Sequence, residues 1–210
     1  VNNVVNVGGT SGTTNSYFPT YGGSKYSLTE QIYTATELGS AGTSTGIDFY
    51  FSGTTARTRT LQIYMVNTSK TSFSSNTDWI KPTSSNMVYS GSVTFAASSW
   101  TIITFSTPFA YDGSSNVALI VDDNTNSTGS TSFHVYTGSN NQAIRISSTN
   151  TNYNPTSISS SGTLAVTKNI VNFHITQNVI EPLACDGPTS VAVSTTPTSA
   201  TVSWSGEADS

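Results

Sequence analysis

Residues 99–124, SWTIITFSTPFAYDGSSNVALIVDDN, decide how the rest of the chain is read. Residues 100–105 are apolar and β-branched, Pro108 and the Asp112-Gly113 pair punctuate, and residues 117–121 form an unbroken apolar run. That pattern predicts strand, turn, strand. A strand with one wet face alternates, whereas a strand apolar at every position is covered on both faces. Residues 117–121 are therefore expected near the middle of a core. The run ends in Asp122 and Asp123, which sets two carboxylates at a strand terminus and gives a first candidate site.

Upstream of this stretch, GIDFYFS (46–52) alternates with Ile47, Phe49 and Phe51 on one face, and RTLQIYMVN (59–67) with Leu61, Ile63 and Met65. Both read as half-buried strands. Residues 26–38 hold two signals. Ser27 and Glu30 have capping-box spacing, but the stretch is rich in strand formers, so a strand through Tyr33 is expected, with at most one helical turn from Ala35 to Leu38 ended by Gly39. A polar connection, TSKTSFSSNTDWIKPTSSN, leads to short apolar runs at 87–89 and 93–95. Downstream, 132–136, 142–146 and 164–175 supply the last strands, with a turn-rich surface loop, SSTNTNYNPTSISSSG, between them. About ten strands at short intervals, with no convincing helix, predict an all-β fold: a two-sheet antiparallel jelly-roll-like sandwich.

Composition agrees with a folded β protein. Charged residues are 9% of the 210-residue chain, hydrophobic residues 35% and aromatic residues 10%. Ser, Thr and Asn make up roughly two-fifths of it, well above ordinary usage. Disorder would need few aromatics and a high net charge, and here the charge is −4. Seven scattered Lys and Arg and a pI near 4.9 offer no basic patch for nucleic acid or an anionic membrane. No apolar run has the length of a membrane span, so no membrane insertion is expected. No signal-peptide pattern opens the chain, which reads as a mature or excised piece. The lone Cys185 excludes an intrachain disulfide. Low Lys and Cys with abundant Thr, Ser and Asn point to an exported bacterial protein.

The strand pattern stops at QNVIEPLACDG (177–187). Three segments are expected: a sandwich over 1–178, a linker over 179–187, and a further piece over 188–210. In that last piece alternation runs from Val191 to Val193, turns at Pro197-Thr198 and resumes through Ala200, Val202 and Trp204. It resembles the first two strands of a fibronectin type III domain, with Val191, Val193, Val202 and Trp204 inward. Such a domain needs about 100 residues, so this piece cannot form a core of its own and Trp204 must be exposed or borrow a surface.

Residues 13–176 resemble a recurrent β-sandwich module of Bacteroidetes cell-surface and secreted proteins. The resemblance rests on TTNSYFPTYGGSKYSLTEQIYTATELG, GIDFYF, RTLQIYMVNTSKTSF, DWI, MVYSGSVTF, the 99–124 stretch with its PFxYDGxxN core from Pro108 to Asn116, and the loop NYNP. Modules of this look commonly precede fibronectin-like repeats. The resemblance implies a non-catalytic module on an exported, multidomain protein, at the cell surface or outside the cell.

The chemical inventory agrees with a non-enzyme. His134 and His174 sit in alternating strands, Cys185 lacks a nearby base, and no HExxH, GxSxG, Walker or GxGxxG pattern occurs. No catalytic residue and no required cofactor is assigned. For a metal, Asp122, Asp123 and Asn124, with Asn126 beyond and Asp112 before the strand, offer the hard oxygens calcium takes. The alternative is that Asp and Asn simply form turns. For a glycan, exposed rings flanked by planar polar groups would serve. The candidates are Trp79, beside Asp78 and Lys81, and the loop residues Tyr17, Tyr21 and Tyr153, whereas Trp100 is expected in the core. Trp79 can equally cap the end of the sandwich. The expected role is recognition of a glycan or host surface by a monomeric module, and the rival is a structural spacer presenting a neighbouring catalytic domain. Exposed coplanar rings would favour the first, and a smooth Thr and Ser surface the second.

Overall fold

In a computed structural model, which describes residues 3–177, 190–196 and 198–205, two large antiparallel sheets pack face to face. One sheet runs in the order β1 (Asn3–Val7), β13 (Val171–Gln177), β4 (Gly42–Phe51) and β7 (Ser99–Tyr111). It continues from β4 to β9 (Phe133–Thr137), which also pairs with β2 (Thr13–Asn15) and β12 (Thr167–Asn169). The other runs β11 (Thr163–Ala165), β10 (Ala143–Ser148), β3 (Tyr26–Tyr33), β8 (Asn116–Asp123), β5 (Arg57–Thr68) and β6 (Met87–Phe95). Take β1, β3, β4, β5, β6, β7, β8 and β13 as first to eighth. One sheet then reads first, eighth, third, sixth, and the other second, seventh, fourth, fifth, which is the jelly-roll order.

The six-stranded sheet divides two apolar layers. Between the sheets, Val117, Leu119 and Val121 of β8 meet Leu61, Ile63, Phe49, Phe51, Phe95, Phe133 and Phe173. On the opposite face, Ala118 and Ile120 join Leu28, Ile32, Tyr64 and Ile144 in a second cluster. Two connections cover it: residues 69–86 send in Phe73 and Trp79, and residues 149–162 send in Ile158. Burial on both sides of β8 is the reason its sequence shows no alternation. At β3 the chain turns into α1 (Ala35–Leu38). Thr34 and Glu37 form the capping box there, and Gly39 ends the turn at φ 77°, a left-handed geometry that glycine adopts without steric cost.

Several elements differ from the expectation. β7 runs straight past Pro108. Its ladder with β4 jumps from Phe109–Ser44 to Thr104–Gly46, so the proline lies in a bulged stretch of an edge strand, where no amide donor is required. Trp100 is only partly buried and points out of the sandwich, edge-on to Tyr50 at 5.6 Å and 81°. The expected strand over 164–175 is divided into β11, β12 and β13. The break after β12 is held by buried polar groups. Asn169 and Gln31 exchange hydrogen bonds at 2.6 and 2.9 Å, and Asn169 also donates to the Phe18 carbonyl at 3.1 Å.

The chain divides into two compact units, Val1–Asn178 and Val179–Ser210. In the second, β14 (Ser190–Thr196) and β15 (Ser199–Ser205) form an antiparallel hairpin. Val193 and Val202, paired across it, are 62% and 53% exposed, as a lone two-stranded ribbon leaves them. Residues 179–187 with Cys185, and the side chains of Val191 and Trp204, lie outside the described residues.

Candidate functional site

A groove of about 540 Å³ opens on the outer face of the six-stranded sheet, where β5, β6 and β8 meet the 149–162 loop. Register builds its floor: Gln62 of β5 stands opposite Asp122 of β8 on one side and Ser90 of β6 on the other. Alternation turns Gln62, Tyr64 and Asp122 to the same outer face. Thr60 and Asn124 close one end, and Asn152, Tyr153, Asn154 and Thr156 form the wall. That wall is fixed from below. Pro155 and Ile158 are buried, Tyr153 packs on the second cluster, and the Asn154 carbonyl oxygen Oδ1 accepts from the Thr156 amide at 3.0 Å and its hydroxyl at 2.9 Å. Tyr64 donates through its hydroxyl to Gln62 Oε1 at 3.0 Å, which orients the amide.

Asp122 is 3% exposed and accepts one hydrogen bond, from Asn124 Nδ2 at 2.8 Å. Burial pushes its carboxyl up to about 7, the Asn124 bond opposes, and the neighbouring Asp123 adds to the rise. Asp123 points the other way, between the sheets. Arg59 donates to it at 2.7 Å, and the Thr125 hydroxyl and amide donate at 2.5 and 3.0 Å. Burial raises this carboxyl as well, against the pull of Arg59. Deeper under the sheet's outer cover, Glu30 is fully buried and, among the described residues, accepts only from the Ile80 amide, at 2.8 Å, so desolvation holds it well above its ordinary value.

The expected metal set is not brought together. Consecutive residues of a strand face opposite sides, which separates Asp122 from Asp123, and Asp123 already has its arginine. Asp112 sits at the other end of β8, where it accepts from the Ser114 and Ser115 amides at 2.8 and 2.7 Å. Hydrogen bonds from Ser115 first lower it to about 2. Asn124 turns its amide nitrogen, not its oxygen, toward Asp122. Among the described residues no group of three or more His, Cys, Asp or Glu is placed to hold a metal ion.

Of the expected ring platform, Tyr153 alone lines the groove. Trp79 is 6% exposed, inside the second cluster, and donates through Nε1 to the Ser160 carbonyl at 2.7 Å. It caps the core and presents no face, which corrects its reading as a stacking surface. The polar look of residues 69–86 hid this, because one Trp and one Phe suffice to anchor a loop that is otherwise wet. Asp78 is bound to Lys70 at 2.5 Å and to Ser74, contacts that hold it below its ordinary value, Lys70 foremost. Tyr17 and Tyr21 stack at 4.8 Å and 30°, and the Arg145 guanidinium lies 3.7 Å over Tyr17. A ring and a guanidinium that close take opposite faces of Tyr17, and the residue is still 37% exposed. His134 stacks on Tyr50 at 4.1 Å, and His174 Nε2 meets Asp48 at 2.7 Å on the outer face of the other sheet.

The groove thus draws Tyr153, Asp122 and Asn124 into one site and adds Gln62, Tyr64, Ser90, Asn152 and Asn154, which sequence reasoning passed over. A signal existed for three of them: Gln62 is the outward polar position of an alternating strand, and Asn152 and Asn154 flank Tyr153 in the NYNP loop. The lining offers amides, hydroxyls, two phenols and one carboxyl, with no Lys, Arg, His or Cys. Such a surface suits a neutral, hydroxyl-rich ligand and disfavours a multiply charged anion. Among the described residues no helix is long and apolar enough to cross a membrane. No protein-family model, curated protein or solved structure matches the chain.

Proposed function

We propose that this is a non-catalytic recognition module that takes a neutral saccharide in the groove at the end of β8. The observation that carries the reading is the lining itself. Planar amides from Gln62, Asn124, Asn152 and Asn154 surround a half-buried Tyr153 and a shielded Asp122 carboxyl. Paired donors and acceptors on amides match vicinal hydroxyls, and a phenol ring offers stacking area to a sugar's C–H face. The resemblance to Bacteroidetes surface modules, and of residues 188–210 to the start of a fibronectin type III domain, supports a place in a multidomain exported protein outside the cell.

Glycan-array binding by the wild-type chain, Tyr153→Ala and Asn124→Ala tests this. Binding by wild type that both changes weaken supports the groove, and binding that survives both removes the groove from recognition. A second reading, a structural spacer, is favoured by one observation: Trp79, the foremost candidate for a stacking face, is buried in the second cluster. It predicts no glycan bound by any of the three proteins.

A further inference from the structure

We infer that a second pocket, at the turn between β4 and β5, is a subsite for a small oxyanion, a carboxylate or sulfate group. It does not rest on the groove reading. The pocket has a volume of about 240 Å³ and is lined by Ser16, Thr54, Thr55, Arg57, Ser130 and Ser132, with no acidic residue in its wall. Three of the chain's other cations are neutralised: Arg59 by Asp123, Lys70 by Asp78 and Lys168 by Glu37. Among the described residues Arg57 has no carboxylate partner. Two neutral carbonyls hold it instead, Nε–H donating to the Ser130 oxygen at 3.2 Å and Nη1 to that of Ala56 at 3.3 Å.

Those two bonds hold the guanidinium of the half-buried Arg57 against the Ser130 and Ala56 carbonyls. A guanidinium has five N–H donors, so most remain free for a ligand. Around it, the hydroxyls of Ser16, Thr54, Thr55 and Ser130 have no hydrogen-bond partner among the described residues, and Ser132 accepts from Ser52 at 2.9 Å while keeping its own proton to give. One fixed, unpaired cation ringed by donors suits a planar or tetrahedral oxyanion, to which arginine binds through paired N–H groups. In a chain of net charge −4, general attraction of anions is absent, so binding here must come from the local geometry.

The test is titration of isotope-labelled chain, followed by backbone amide NMR, with sodium sulfate, sodium acetate and the methyl glycoside of glucuronic acid, ionic strength being held constant with sodium chloride. Saturable shifts confined to the amides of residues 54–57 and 130–132 are expected. Arg57→Gln should weaken binding about tenfold or more, the loss expected for charge-assisted hydrogen bonds, and Arg57→Lys by less. Tighter binding of the glucuronide than of acetate means the anion is carried on a sugar, and equal binding means a free anion is enough. Thr55→Val, an exposed change outside the guanidinium contacts, should weaken binding modestly without altering the remaining spectrum. Shifts that fail to saturate, that chloride reproduces, or that persist unchanged in Arg57→Gln overturn the inference.

Discussion

Replacing Asp122 with asparagine keeps the side-chain shape and the acceptor oxygen for Asn124, and removes only the ability to ionise. In the folded chain burial raises this carboxyl to about 7 from an ordinary value of 3.8. Between those two values the folded state holds a proton that the unfolded state has released, so stability falls as pH rises. The contribution of the neutral carboxyl is complete below pH 3.8 and gone once pH has passed the folded value near 7. A span of about three pH units at about 1.36 kcal/mol each gives ~4 kcal/mol. Other shifted carboxylates, such as Glu30 and Glu37, are common to both proteins and cancel in the difference. Urea unfolding followed by far-UV circular dichroism, at intervals from pH 4 to pH 8.5, measures it. The two proteins should match near pH 4, and Asp122→Asn should become the more stable by ~2–4 kcal/mol above pH 7. Parallel stability curves across the whole range would refute the claim that Asp122 is a desolvated acid.

The remaining predictions concern the two sides of the six-stranded sheet. Trp79→Ala should cost ~3–5 kcal/mol as a large-to-small change in the second core. Trp79→Phe should cost less, with ~1 kcal/mol of it from the lost bond to Ser160. Urea titration decides, and a loss under ~1 kcal/mol for Trp79→Ala would take this residue out of the core. Arg59→Met leaves Asp123 buried without its partner and should cost ~3–5 kcal/mol, whereas Arg59→Met combined with Asp123→Leu should recover much of that. Thermal melts of the double-mutant cycle check it, and a double variant as unstable as the single one would contradict the pairing.

The parts of the fold visible in the sequence were those set by local pattern. Residues 117–121, apolar throughout, announced a strand buried on both faces, and Ala35 to Leu38 ended at Gly39 as a single helical turn. Pro108 misled, since a proline reads as a stop unless the strand is known to lie at an edge and to bulge there. Trp100 misled for a related reason: the alternation of residues 99–105 sets two faces, but only the sheet partner tells which is wet. The groove was half visible. Asp122, Asn124 and Tyr153 each drew notice, yet nothing local says that Gln62 lies opposite Asp122, some sixty residues on, or that the NYNP loop returns over both. Adjacent Asp122 and Asp123 invited a shared role, which the pleat of the strand forbids.

The division of the apolar interior by a single sheet also separates frame from veneer. The jelly-roll frame is closed between the two sheets, and nothing in residues 69–86 or 149–162 is needed to complete that layer. The veneer those connections form is held by the buried side chains of Phe73, Trp79 and Ile158 and by hydrogen bonds from Trp79 to Ser160 and from the Ile80 amide to Glu30. Lying outside the closed layer, it should exchange its backbone amides with solvent ahead of those of β3 and β8. The groove wall belongs to the veneer and the groove floor to the frame. Substitutions in residues 149–162 therefore alter the wall of the groove and leave its floor and the jelly-roll frame in place.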